Sequence, residues 1–218
     1  LSIKDLIHSY EENILFLGAY LQVEPGERIA FLGANGSGKS TLLRLIMGLE
    51  EPEEGSIEIG KYNIFPSYFE QNQAEALELQ KTVIETIYQA APTWTQTEIR
   101  SLLGGFGLTN DSVFKEVSQI SGGEKARLAL ALMLIKPSNL LILDEPTNHL
   151  DIPAKQMLEK ALTNYNGTAL IVSHDRYFIS KVANIIVEIR DGQLIKYQGD
   201  YKYYKEKKME EDLEKEQE

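Results

Sequence analysis

The sequence predicts an α/β fold built on a mostly parallel core sheet, and three observations carry that prediction. The segments Ile29 to Leu32, Leu140 to Leu143 and Ala169 to Val172 are apolar at every position, the pattern of short strands buried on both faces. Each ends in a polar cluster, respectively Gly33 to Ser40, Asp144-Glu145 and Ser173-His174-Asp175. A helix-compatible segment follows each cluster: Lys39 to Met47, Pro153 to Tyr165 with Pro153 near the first turn, and Arg176 to Ala183. In open α/β sheets ligands sit beyond the carboxyl ends of parallel strands, so the three clusters are expected to converge on one site.

The remaining elements attach to that core. Ile3 to Ile7, Ile14 to Val23, Ser56 to Ile59 and Ile64 to Phe69 are short strand-like runs separated by Gly, Pro and charge, which predicts an antiparallel β subdomain. Between Thr82 and Ile135 the pattern turns helical, with Thr82 to Ala90, Thr95 to Leu103 and Ser121 to Ile135 as helices and Gly104, Gly105 and Gly107 breaking the run. This predicts an α-helical subdomain over about residues 73–135. Ile185 to Ile189 and Gln193 to Tyr197 flank Arg190-Asp191-Gly192, a hairpin signal. From Lys202 onward charges dominate, so residues 201–218 are expected as a solvated helix or linker without a core of its own, after a domain spanning 1–200.

Bulk properties narrow the classes. A length of 218 residues suits one large domain, and 43% hydrophobic with 25% charged residues is ordinary for a globular protein. No apolar run approaches the ~20 residues of a membrane span. The start at Leu1, without signal peptide or initiator Met, suggests a piece of a longer chain. The absence of cysteine excludes disulfides, iron–sulfur clusters and cysteine zinc sites. A net charge of −11 argues against a broad nucleic-acid footprint on this segment.

Three segments carry chemistry. Gly33-Ala34-Asn35-Gly36-Ser37-Gly38-Lys39-Ser40, followed by Thr41, fits the phosphate-loop pattern. Its glycines let backbone N–H groups curl around a β-phosphate, the helix N-terminus favours negative charge, and Lys39 reaches the β- and γ-phosphates. Ser40 is expected to offer its hydroxyl to Mg²⁺. Asp144 and Glu145, at a strand end, divide two roles: Asp144 holds Mg²⁺ through water, and Glu145 polarises an attacking water at the γ-phosphate. Ser121 and Glu124 form the S-x-x-E capping box. Gly122 and Gly123 are poor structural choices at a helix start, but they leave N–H groups open to an incoming phosphate.

On these motifs the chain resembles an ATP-binding cassette (ABC) nucleotide-binding domain over nearly its whole length. The resemblance implies that Tyr10 stacks on adenine and that Gln71, rather than the nearby Gln73, senses Mg²⁺ and water. It likewise implies that Ser121 to Glu124 are the signature loop, Asp151 the inter-domain aspartate and His174 the switch histidine. A neutral His174 can hydrogen-bond a γ-phosphate and help orient water, and Asp151 can also cap the helix at Pro153. Ile120 stands where the family usually has Leu, and Glu124 where transporters often have Gln.

Thr147-Asn148-His149-Leu150-Asp151, Ser173 to Phe178, and Tyr197-Gln198-Gly199-Asp200-Tyr201 followed by Tyr204 resemble the ABC-F branch, with a similarity to cyanobacterial and plastid members. That branch carries two cassettes in one chain without membrane domains, and many members act on the ribosome. The resemblance therefore implies an ATPase using ATP and Mg²⁺, paired with a second cassette, acting in translation, in the cytoplasm or a plastid stroma. One phosphate loop and one signature segment are present, and the pattern looks more like a second cassette than a first. A transporter ATPase subunit and a DNA-associated ABC-F protein are the alternatives. Tyrosines 197, 201, 203 and 204 are expected to pack the tail helix against the domain rather than to stack RNA.

Overall fold

The computed structural model describes residues 1–60, 63–69, 74–148 and 150–215. In chain order the elements are β1 (Ser2–Tyr10), β2 (Asn13–Gln22), β3 (Arg28–Gly33), α1 (Lys39–Ile46), β4 (Glu54–Glu58), β5 (Pro66–Phe69), α2 (Val83–Ala90) and α3 (Gln96–Gly105). After two short 3-10 turns come α4 (Gly122–Ile135), β6 (Leu140–Asp144), α5 (Ile152–Thr163), β7 (Thr168–Val172), α6 (Arg176–Val182), β8 (Ile185–Arg190), β9 (Gln193–Tyr197) and α7 (Tyr201–Lys215).

The three apolar runs become interior strands of a six-stranded sheet ordered β5-β6-β7-β3-β8-β9, parallel except for β9. Their side chains alternate between faces. Leu141, Leu143, Ala169 and Ile171 pack with the helical half of the molecule, whereas Leu140, Ile142, Leu170 and Val172 pack with α1 and the β layer. Leu, Ile and Val side chains buried this completely contribute roughly 1.5–3 kcal/mol each. The register sets Asp144 opposite Val172 and Val172 opposite Phe31, so the strands end level and deliver their polar clusters to one edge.

β1 pairs antiparallel with β2 and β4, giving the expected β layer in the order β2-β1-β4. Pro66–Phe69, expected in that layer, instead forms the edge strand β5, parallel to β6. The Asn139 carboxamide and backbone fix its start, through Phe65 N to Asn139 Oδ1 at 2.8 Å and Asn139 N to Phe65 O at 3.2 Å. Pro66 is tolerated because edge strands need fewer ladder donors. Nothing local in the Ile64 to Phe69 pattern distinguishes a parallel from an antiparallel partner.

The β8–β9 hairpin closes through Asp191 and Gly192, both left-handed at φ 52° and 74°, the two-residue turn matching strand twist. α3 takes in Gly104 and ends at Gly105, both expected to break it, and the chain turns at Gly107, φ +68°. Ile99 and Leu103 are buried and anchor the helix, whereas the two glycines lie on its open side.

The tail is the helix α7, and it docks on β8 and β9 through three of the four tyrosines expected to pack it, rather than standing solvated without a core. Tyr197 and Tyr204 meet edge to face at 5.0 Å, and Tyr201 and Tyr204 pack against Ala30, Ile179 and Ile186. Of the four tyrosines Tyr203 alone faces outward, 39% exposed. The buried carboxylate of Glu188, on β8, accepts from Tyr197 Oη at 3.2 Å, Tyr204 Oη at 3.3 Å and Lys208 Nζ at 2.9 Å.

Candidate nucleotide site

The phosphate loop lies between β3 and α1, where the sequence places it. Gly38 caps α1 at φ +96°, and a Cβ there would meet the Phe16 ring at 3.0 Å, so backbone angle and space both require glycine. Lys39 Nζ donates to the carbonyls of Gly33 at 3.0 Å and Ala34 at 2.9 Å, arching over the loop. Burial holds the Lys39 ammonium pKa below its ordinary value, opposed by the charges of Glu145 and Asp144.

β6 supplies the facing carboxylates. Asp144 Oδ1 accepts from Ser40 Oγ at 3.2 Å, which sets a hydroxyl and a carboxylate side by side. Hard oxygen donors of this kind fit Mg²⁺, which takes few protein ligands and completes its shell with water and phosphate oxygens. Burial pushes the Asp144 carboxyl pKa up, partly offset by the Ser40 hydroxyl and the charges of Arg44 and Lys39.

Glu145 occupies the left-handed region at φ 50°, an uncommon conformation for a side chain with a Cβ and one found often at functional sites. Its amide donates to Val172 O at 2.8 Å. Oε2 accepts from the His174 amide at 3.2 Å, and Oε1, buried and without a hydrogen-bond partner among the described residues, lies 3.4 Å from His174 Nε2. Burial raises the Glu145 pKa against the lowering effect of His174. His174 itself is 65% exposed at the side chain, so it is free to turn toward a bound group. Beneath it the Thr147 and Ser173 hydroxyls lie 3.2 Å apart, fixing the two strand-end turns together.

Lys39, Ser40, Glu145 and His174 border one open cavity of about 370 Å³, which Tyr10, Asn35, Gly36, Gly38 and Thr41 also line; Asp144 is outside its lining and meets it through Ser40. Gly33 borders a neighbouring cavity of about 320 Å³, which Lys39 and His174 also reach. The strand-end clusters thus converge as expected. Gln71, the expected Mg²⁺ sensor, its neighbour Gln73, and His149 lie outside the described residues.

The signature segment behaves as the capping box requires. Ser121 Oγ accepts from Glu124 N at 3.2 Å while Glu124 Oε2 accepts from Ser121 N at 2.9 Å. The Ser121 amide holds the Glu124 carboxyl below its usual pKa. Gly122 is exposed with no atom within 4 Å of where its Cβ would be, and Gly123 finds only Asp151 Oδ2 at 3.9 Å. Asp151 caps α5 through Ala154 N at 3.0 Å and pairs with Arg127 at 3.1 Å. Gly122 lines a different cavity, of about 290 Å³, bounded by Phe69, Ala126, Pro146 and Glu145. Ser121, Gly122, Gly123, Glu124 and Asp151 are absent from the linings of the cavities around the phosphate loop.

Sequence reasoning missed three neighbours of Tyr10. The Tyr10 hydroxyl donates to Glu50, Arg44 pairs with Glu50, and the His8 ring meets the Tyr10 ring edge to face at 5.2 Å. Glu50 sits in an acidic run after α1 that reads as an ordinary loop, and nothing in the pattern links it to β1.

A phosphate loop between a parallel strand and a helix, facing a strand-end carboxylate pair and with an antiparallel β layer on its flank, defines a P-loop nucleotide-binding cassette. A family model for the ABC transporter matches residues 17–148, and the chain belongs to that family. It is 53% identical to ABC transporter F family member 2 of Arabidopsis thaliana, over 96% of this chain and 31% of that protein. It is also 53% identical to F family member 5 of the same plant, over 95% of this chain and 30% of that protein. The chain therefore spans about a third of the length of the curated relatives it matches. Among solved structures, a dimeric ATP-binding cassette in a post-hydrolysis state bound to ADP and Pi superposes with a TM-score of 0.69. That match has 22% identity and covers 90% of this chain and 97% of that one. Among the described residues no helix is long and apolar enough to cross a membrane.

Proposed function

We propose that this chain is an ATP-hydrolysing cassette of an ABC-F protein, which closes with ATP and Mg²⁺ against a second cassette and acts on the ribosome in translation. The observation that carries the reading is the separation of two complementary half-sites. The phosphate loop, Glu145 and His174 border one group of cavities, with Asp144 bonded to Ser40 beside them. Gly122 lies outside that group, in a cavity that only Glu145 of these residues shares, and Gly123 lines none of the three. A helix N-terminus prepared for phosphate needs a phosphate held by another cassette. The similar solved cassette is dimeric, and the F family relatives have length for a second cassette in the same chain.

In this reading the loop amides and Lys39 bind the phosphates, and Tyr10 receives the adenine. Ser40, Asp144 and Gln71 would hold Mg²⁺, which supplies charge neutralisation between phosphate oxygens. Glu145 accepts a hydrogen bond from the attacking water, and its burial-raised pKa strengthens it as a base. His174 steadies the γ-phosphate oxygens. The second cassette's Ser121 to Glu124 segment closes over the same phosphate, while Asp151 braces the interface. Residues 1–200 are the ATPase domain, about 73–135 its helical subdomain, and 201–218 a charged C-terminal helix or linker. The compartment is the cytoplasm, or the plastid stroma for a chain of plant origin.

Ribosome co-sedimentation of the full-length protein with ATP, using the Glu145→Gln variant to hold the closed state, tests the proposal. Enrichment with ribosomes is expected. Recovery of membrane permease subunits would replace it with a transporter ATPase, and selective retention of branched DNA with a DNA-associated protein.

A further inference from the structure

Tyr10 is the last residue of β1, before a tight turn through Glu11 at φ 54°, and it is 43% exposed. A ring at the tip of a sheet has no surrounding core to fix its rotamer, so its position depends on whatever holds its two ends. The Tyr10 hydroxyl donates to Glu50 Oε2. The other oxygen of Glu50 accepts from Arg44 Nε, on α1, and Arg44 Nη2 also reaches Tyr10 Oη at 3.2 Å and Thr41 Oγ1 at 3.3 Å. The buried His8 imidazole stands edge to face with the ring, with Nε2 3.6 Å from Glu50 Oε2.

Through Arg44 these contacts run back to the helix whose first turn carries Lys39, Ser40 and Thr41. A charge-assisted hydrogen bond to a carboxylate is roughly twice as strong as a neutral one and sharply directional. It holds the phenol where a rotamer-free tyrosine would swing. The Arg44–Glu50 pair also fixes the height of that phenol relative to the loop that holds phosphates.

We infer that Glu50 is a positioning residue for the nucleobase: with Arg44 it locks the Tyr10 ring at the distance from the phosphate loop that an adenine nucleotide requires. This rests on Tyr10 being the base-stacking residue. Glu50 does not touch the nucleotide, and its effect is confined to ligands that carry a base.

Binding of ATP and of inorganic tripolyphosphate, which has the phosphates and no base, separates the roles. Both are titrated calorimetrically onto this chain and its Glu50→Ala, Glu50→Gln, Tyr10→Phe, Tyr10→Ala and Tyr10→Phe/Glu50→Ala variants. Glu50→Ala and Tyr10→Phe are expected each to weaken ATP binding about three- to tenfold. That is part of the roughly 5- to 150-fold that a whole base–aromatic stack is worth. The double variant should lose no more than either single one, because both cut the same tether. Tripolyphosphate affinity should stay within about twofold, and Glu50→Gln, still an acceptor for the phenol, should recover part of the loss. Equal weakening of both ligands by Glu50→Ala would mean that the residue acts on the phosphate loop and would overturn the inference. So would a full loss with Tyr10→Ala and none with either Glu50 variant. If Tyr10→Ala itself leaves ATP binding unchanged, the base-site reading falls, and the positioning role falls with it.

Discussion

Glu145 and His174 meet twice: the His174 amide donates to one carboxylate oxygen at 3.2 Å, and the imidazole Nε2 stands 3.4 Å from the other. The backbone contact fixes the carboxylate, and Oε1 is buried with no hydrogen-bond partner among the described residues. Replacing Glu145 with Gln keeps the shape and the acceptor for the His174 amide while removing the base. General-base loss typically costs 10²–10⁴-fold, so Glu145→Gln is expected to hydrolyse ATP at least about 100-fold more slowly. ATP affinity should stay within about twofold, and the paired, ATP-bound state should accumulate. Steady-state phosphate release and sedimentation with ATP measure both, and parental turnover would remove Glu145 from the role.

The same substitution should stabilise the nucleotide-free fold. Burial raises the Glu145 pKa in the folded chain above its ordinary value of 4.5. The folded state then holds the proton more tightly than the unfolded state, so the carboxyl's favourable contribution is complete below pH 4.5 and is lost as pH rises through the raised value. Gln carries no charge to bury. The variant's Tm should therefore match the parent's at low pH and rise above it as the pH approaches neutrality. A thermal scan from pH 4 to 8 shows this directly, and a gain constant over that range would exclude the ionisation as its source.

Gly122 offers a clean separation of folding from pairing. Its backbone is not left-handed and the space around it is open, so Gly122→Asp should fold with a Tm within about 1 °C of the parent. Its carboxylate would face the phosphate that a second cassette presents, at a helix end suited to anions. ATP binding to the isolated chain should persist, while ATP-driven association with a Glu145→Gln cassette should fall at least about tenfold. Loss of ATP binding in the monomer would place the segment in the wrong half-site.

Features written in local pattern were legible in the sequence, and long-range pairings were not. The three wholly apolar strands, the phosphate loop and the Ser121–Glu124 box could be read because each depends on residues within a few positions. Thr82–Glu85 and Thr95–Glu98 form the same box in the structure and carried the same signal. The parallel partner of β5 is about 70 residues away, and the Tyr10–Glu50 contact spans 40 residues, distances at which periodicity says nothing. The packing of α7 by Tyr197, Tyr201 and Tyr204 was legible in the sequence, whereas its polar anchor, the Glu188 carboxylate on β8, was not.

That carboxylate has a measurable weight. Glu188 is 11% exposed at its side chain and satisfies Tyr197, Tyr204 and Lys208, with Arg190 at 3.4 Å. Glu188→Ala would leave those groups facing a void under α7, at a cost of about 2–3 kcal/mol. The Tm should fall by about 4–12 °C, and trypsin should cut at Lys202 and Lys205 before the rest of the chain opens. Unchanged protection of those two lysines would show that the tyrosines alone hold the helix.

Asp151 joins two tasks that substitution can divide. Its carboxylate caps α5 through Ala154 N at 3.0 Å and pairs with Arg127 at 3.1 Å. Asn is as good an N-cap as Asp, so Asp151→Asn should keep α5 capped and lose only the ion pair, which is partly exposed and worth under about 1 kcal/mol. Asp151→Ala removes both and should cost about 1–2 kcal/mol. If the residue serves pairing through its charge, Asp151→Asn should weaken ATP-driven association severalfold while its Tm stays within about 3 °C of the parent. Association unchanged in Asp151→Asn and reduced only in Asp151→Ala would assign the residue to the helix rather than to the interface.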